Sequence, residues 1–373
     1  MYSTKFGRRE NLMKKYFKWM LLMVLIAGVL AGCGIKEEAE ETSEPTTAAE
    51  TETETEEETE DPYEGLVVNP LTGIRDYPEE SEGNRPVAVT VNNASDSLPQ
   101  YGTGEADIIF EIPVEGYLTR LVCIYADYTD VPYIVSVRSY RYYFPVVALG
   151  FDAIYIHWGQ DNTMMDYYYS LDMDSYNGMN NTYLFGRDSG RLSSGYALEH
   201  TSYFDGTLLP SQLASDGVRT TLAEGYEGTV FNFNSGDEVI SYGDESALTV
   251  NISFGGNTAK LVYDEASQTY LKYTAGVEQI DGSTGEQLSF TNVIILEASM
   301  YVRDDAKHLS ITLTGITNGA GYYISGGSAQ PITWAKADEY SQFVFYDADG
   351  NELEMNCGKT YIAITRSGTY SFE

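Results

Sequence analysis

The chain has 373 residues, with 56 acidic against 22 basic side chains and 3 histidines, for a formal net charge of −34. That balance excludes nucleic acid as a partner class, because neutralising phosphates supplies most of such affinity and needs a basic face. Three cysteines and no metal-type Cys/His spacing argue against a zinc site, so neither metal nor cofactor is expected.

Arg8, Arg9, Lys14, Lys15 and Lys18 precede an apolar run over 19–30, the charged and hydrophobic regions of an export signal. The run is too short for a membrane span, which needs about 20 apolar residues. Leu30-Ala31-Gly32-Cys33 follows it directly and resembles the lipobox of bacterial lipoproteins, in which the cysteine sulfur carries a lipid. The expectation is a signal peptide over 1–32, a lipidated Cys33, and a mature chain anchored to the cell membrane on its extracytoplasmic side. Met13-Lys14-Lys15 also reads as an ordinary signal start.

Thirteen of the 25 residues over 37–61 are acidic and most of the others are threonine. Such a segment cannot bury a core and repels itself, so 33–66 reads as a disordered tether. About 30 residues give an r.m.s. reach near 30 Å.

After the tether, 87–91, 108–112, 120–126, 133–137 and 153–157 read as strands, and 140–149 and 163–171 as helices. That interleaving predicts an α/β domain over 67–212. Alternating runs at 248–254, 260–263, 269–273, 293–297, 309–313, 332–336, 343–346 and 361–365, separated by Gly-containing turns, predict a mainly antiparallel all-β domain over 213–373. Two domains also suit a body of roughly 300 residues. Cys123 lies in an apolar run and reads as a buried free thiol, although a disulfide with Cys357 is allowed outside the cytoplasm.

Several short motifs carry a resemblance. Asn69-Pro70-Leu71-Thr72-Gly73, Arg85-Pro86-Val87-Ala88-Val89 with Asn92 and Asn93, Ala106-Asp107, Pro113-Val114-Glu115-Gly116 with Thr119-Arg120, and Val137-Arg138-Ser139 with Arg141 occur in order. With 152–157, His200 and Thr201 to Tyr203, they are similar to the YerB-like lipoproteins, the DUF3048 family. In the second half Tyr263-Asp264, Tyr270, Asn292-Val293-Ile294, Trp334 with Lys336, Asp349-Gly350 and Gly358-Lys359-Thr360 resemble that family's C-terminal domain. The resemblance implies a two-domain extracytoplasmic lipoprotein and no stated activity. His200-Thr201 departs from the family's His-Asn pairing.

No lysine lies between Lys36 and Lys260, where the basic residues are Arg75, Arg85, Arg120, Arg138, Arg141, Arg187, Arg191 and Arg219. Arginine grips carboxylate or phosphate with a planar fork, which lysine lacks. Arg138 and Arg141 sit three apart at a strand-to-helix junction and Arg120 on a neighbouring strand, at the sheet edge where α/β proteins bind ligands. The expectation is an anion-binding cleft for a cell-wall or envelope ligand, lined by Glu115, Arg120, Arg138, Ser139, Arg141, His157 and His200. The alternative is that these arginines are structural, paired with Glu111, Glu115 or Asp107.

A second functional reading is a cell-envelope hydrolase using His157, which ends a strand, or His200, which follows Glu199. No Gly-x-Ser-x-Gly elbow is present and Ser139 is the serine nearest the arginines, so the chain leans away from enzymes. A structural or protein-docking module is the third reading. Asp347-Ala348-Asp349-Gly350-Asn351 starts like a calcium loop but lacks the twelfth-position glutamate, so a hairpin turn is expected. The tyrosines at 140, 142, 143, 167, 168 and 169 are expected to pack at surfaces rather than to stack on sugars.

Overall fold

Five segments of this chain are buried at every position of their ladders or nearly so, and a strand of that kind needs neighbours on both edges and cover on both faces. In the computed structural model, which describes residues 62–373 apart from 227, 237 and 304–306, these segments form the middle of an eleven-stranded sheet. The leader, Cys33 and the acidic tract to Asp61 lie outside the described residues.

The strands of this sheet are, in chain order, β1 (Val87–Asn92), β2 (Ile108–Pro113), β3 (Thr119–Tyr125), β4 (Ile154–His157), β5 (Ser175–Asn177), β6 (Glu245–Ser246), β7 (Asn292–Glu297), β8 (Ile316–Ser325), β9 (Ser328–Lys336), β10 (Val344–Tyr346) and β11 (Thr360–Thr365). Their spatial order is β6-β9-β8-β7-β11-β2-β3-β1-β4-β5, with β10 also paired to β9. The pairs β7–β11, β11–β2, β1–β4 and β4–β5 are parallel, whereas β3 runs antiparallel to both β1 and β2. Strand β11, from near the end of the chain, thus lies between β2 and β7, so both halves of the sequence contribute to one sheet.

Side-chain alternation splits the core into two. One face carries Phe110, Val122, Tyr155, Ile294 and Ile362 with the short helix α1 (Pro145–Leu149). The other carries Val89, Cys123, Ile156, Ile295 and Tyr361, and packs against a second, six-stranded sheet through Val250, Ile252, Leu261 and Tyr270. Strands Thr249–Ser253 and Thr269–Thr274 of that second sheet alternate buried with half-buried positions, the pattern of a sheet with one covered face.

The strand expectations agree with the observed elements in place, with ends shifted by up to a few residues. The helix expectations need correction. The helix read over 140–149 shrinks to α1, because Pro145 fixes the first-turn position and 140–144 runs ahead of it in irregular backbone. The helix read over 163–171 is a 3₁₀ turn (Asn162–Met164) followed by α2 (Met165–Ser170). With α3 (Ser189–Ser193) and α4 (Leu209–Asp216) also short, the fold is mostly strand, and the α/β character lies in the parallel ladders. Cys123 is a buried free thiol, so the allowed disulfide with Cys357 is not formed. No helix among the described residues is long and apolar enough to cross a membrane.

Candidate functional site

Residues 136–138 cross the carboxyl ends of β1 and β4. Ser136 O accepts from Asn92 N at 2.8 Å, Arg138 N donates to Thr90 O at 2.9 Å, and Arg138 O accepts from Trp158 N at 3.0 Å. On the other side Val137 N donates to Ser202 O, the first residue of strand Ser202–Asp205, which pairs with Tyr133–Val135 and Phe185–Arg187 in a small separate sheet. Gly159 has φ +83, and a Cβ there would come within 2.8 Å of Ser139 Oγ, so the turn after β4 lies directly on this segment.

Arg120 pairs in register with Asn92 at the amino end of β3 and is 9% exposed. Its Nη1 donates to Ser139 O. Burial lowers its pKa to about 9, and the nearby Arg141 and Arg138 guanidinium groups add repulsion. Burial also lowers Arg138; Glu199 opposes that shift, while Arg141 and Arg187 reinforce it. Arg138 Nε is buried without an acceptor, and its guanidinium makes no hydrogen bond or ion pair among the described residues. Arg141 is held by Glu115, with Nε to Oε2 2.7 Å and Nη2 to Oε2 2.6 Å. Burial raises the Glu115 carboxyl, but the Arg141 contact and the Leu309 N–H outweigh it and leave its pKa below the usual value.

The other five arginines of the lysine-free stretch are held by protein groups, Arg75 by Leu66 O. Arg85 is buried against Asp174, Asp152 O and Arg219 O. Arg219 forks onto Asp152, and Arg191 binds the carbonyls of Ser97, His200 and Pro99. Arg187 lies 4.3 Å over the Trp158 ring and donates to Leu198 O. Of the acidic partners weighed for Arg120, Arg138 and Arg141, only Glu115 forms an ion pair with one of them; Glu111 pairs with Lys272, and Asp107 accepts from Asn69.

The two histidines behave differently from a cleft lining. His157 is fully buried, with Tyr140 edge-on at 4.8 Å and Tyr155 at 5.4 Å between ring centroids. Burial lowers its pKa to about 4 against one supporting contact from Gly159 O, so it is neutral near pH 7, and its Nε2 has no partner. The expectation that His157 lines an open cleft is therefore corrected: it ends β4 on the core side of the sheet. His200 is 8% exposed; Asn92 Nδ2 donates to its Nδ1 at 2.8 Å, and Nε2 faces Glu199 at 4.0 Å. Ser139 Oγ donates to Trp158 O and not to an imidazole, so the serine and the histidines do not form a nucleophile–base hydrogen bond. Arg187 and Glu199 flank the cluster and are not among the sequence-derived candidates; Arg187 sits on the small sheet and Glu199 in the 3₁₀ turn Leu198–His200 that leads into it, and the sheet's long-range pairing carries no local signal.

The family described as "Protein of unknown function (DUF3048) N-terminal domain" matches residues 71–219, and "Protein of unknown function (DUF3048) C-terminal domain" matches 249–362. The chain belongs to the DUF3048 family. A curated relative, "Putative lipoprotein YerB" from Bacillus subtilis (strain 168), is 29% identical over 308 residues, covering 79% of this chain and 85% of that protein. The crystal structure of YerB protein from Bacillus subtilis superimposes with a TM-score of 0.71 at 26% identity, covering 82% of this chain and 99% of that one. In this DUF3048 chain two groupings of side chains stand out. Asn69 with Asp107, and Arg85 with Asp152, act as clamps that fix loops to strands. Arg120, Arg138 and Arg141 form the cluster described above.

Proposed function

We propose that this protein is an extracytoplasmic lipoprotein of the cell envelope, anchored through a lipid on Cys33, whose Arg120, Arg138 and Arg141 cluster binds an anionic envelope ligand. The lipobox and the printed name of the curated relative support the anchoring. The acidic tract then acts as the spacer between membrane and folded body.

One observation carries the binding reading. In a chain of net charge −34, Arg138 lies beside two other guanidinium groups with no carboxylate within ion-pair distance among the described residues. Crowded like charges destabilise a fold unless something offsets them, and an anion gripped by arginine forks does so. The hydrolase reading is weaker, because His157 offers no exposed atom to a substrate.

Thermal unfolding of the full-length protein in detergent, with and without sulfate, phosphate and citrate, tests the reading. A ligand at about 100 times its Kd stabilises by about 2.7 kcal/mol. Stabilisation by at least one of these anions, abolished by Arg138→Ala, is expected; equal shifts in parent and variant contradict it.

A further inference from the structure

We infer that the group taken by the arginine cluster is a phosphate monoester in its dianionic form, a reading that rests on the anion site proposed above. The charge count points that way. Three guanidinium groups and the single Glu115 carboxylate leave two positive charges, and adding Arg187 and Glu199, which act on Arg138 with opposite signs, leaves that balance unchanged. A single carboxylate or a phosphodiester brings one negative charge and leaves the other repulsion in place. A monoester brings nearly two above its second pKa of about 6.

Donor number points the same way. One carboxylate occupies one arginine here, as Glu115 does with Arg141. Arg138 keeps its whole guanidinium without a protein acceptor, and Arg120 uses only Nη1 on Ser139 O. The backbone amides of Ser139, Tyr140 and Arg141 also donate to no protein group among the described residues. Successive unpaired N–H groups beside arginine forks suit the three terminal oxygens of a phosphoryl group better than the two of a carboxylate. The cluster supplies donors almost exclusively, which fits a group that only accepts.

The test titrates the full-length protein in detergent with methyl phosphate, dimethyl phosphate and malonate, which separate monoester, diester and a dicarboxylate of equal charge. Methyl phosphate is expected to bind at least tenfold more tightly than the other two at pH 7.5. Its affinity is expected to fall as pH drops to 5.5 and the second proton returns, and to fall at least tenfold in Arg138→Ala. Malonate binding as tightly as methyl phosphate, with both lost in Arg138→Ala, overturns the phosphate class and leaves the anion site standing. No binding of any probe, or binding unaffected by the variant, overturns both. Should Arg138→Ala not fold, Arg138→Lys keeps the charge without the fork and is expected to weaken methyl phosphate at least threefold; an unchanged affinity contradicts the inference. Flotation of the Cys33→Ala protein, which lacks the lipid that would insert into any vesicle, separates the sources. Retention on phosphatidic acid but not phosphatidylglycerol vesicles supports a lipid headgroup, and binding of methyl phosphate without such retention supports a soluble ester.

Discussion

Lys272 Nζ lies 2.9 Å from Glu111 Oε2, and neither side chain has any solvent exposure. Glu111 belongs to β2 and Lys272 to the second sheet, so the pair joins the two layers at their centre. Asn93, Thr119 and Tyr361 also donate to the carboxylate, and Thr274 and Gln279 accept from the ammonium. Removing one partner strands a buried charge, which typically costs 3–5 kcal/mol. Lys272→Met is therefore expected to lose about 4 kcal/mol in chemical denaturation, whereas Lys272→Met combined with Glu111→Gln recovers part of the loss. A single-variant cost under about 1 kcal/mol contradicts the reading.

His157 makes stability sensitive to acid. Its pKa is depressed to about 4 by burial, so the folded state binds fewer protons than the unfolded chain between about 6.5 and 4. The sign follows: its contribution is complete above the unfolded value and is lost as pH falls through that window. Asp107, raised by burial to about 6, acts in the opposite sense, so a difference measurement is needed. The stability of the parent minus that of His157→Asn is expected to fall by about 2 kcal/mol between pH 7 and pH 5. A difference that stays constant with pH removes His157 from the account.

Glu115 competes with any bound anion for Arg141 while also accepting from Leu309 N. Glu115→Gln removes the charge and keeps an amide oxygen for Leu309. Anion affinity in this variant is expected to rise about fivefold, corresponding to about 1 kcal/mol for a partly exposed pair. Weaker binding instead means that Glu115 helps hold the ligand.

Anchoring through Cys33 has its own test. Cys33→Ala is expected to abolish incorporation of labelled fatty acid and to move the protein from the membrane to the soluble fraction. Equal labelling and partitioning of parent and variant contradict lipid attachment at this position.

Strand positions were readable because β1, β2, β7 and β11 are long apolar runs whose burial on both faces leaves them no alternative. The hairpin of β8 and β9 was only partly readable, since Gly319 and Gly321 interrupt the apolar pattern of β8. A Cβ at Gly319 would meet the Trp334 ring and one at Gly321 the backbone of Ile295, so close packing rather than propensity sets these residues. The place of β11 beside β2 depends on a pairing across more than 200 residues of chain, Thr360 with Ile108, which no local pattern encodes. His157 was misread for a similar reason. A polar residue closing an apolar strand suggests a surface end, but Tyr140, Tyr155 and Tyr168, from three separate segments, enclose it.

Crystals of the protein soaked in tungstate provide the most direct measurement of the arginine cluster. An anomalous peak within hydrogen-bonding distance of the Arg138 guanidinium, bounded also by Arg120 and Arg141, is the predicted result. Tungstate bound elsewhere on the protein while this position stays empty would contradict it.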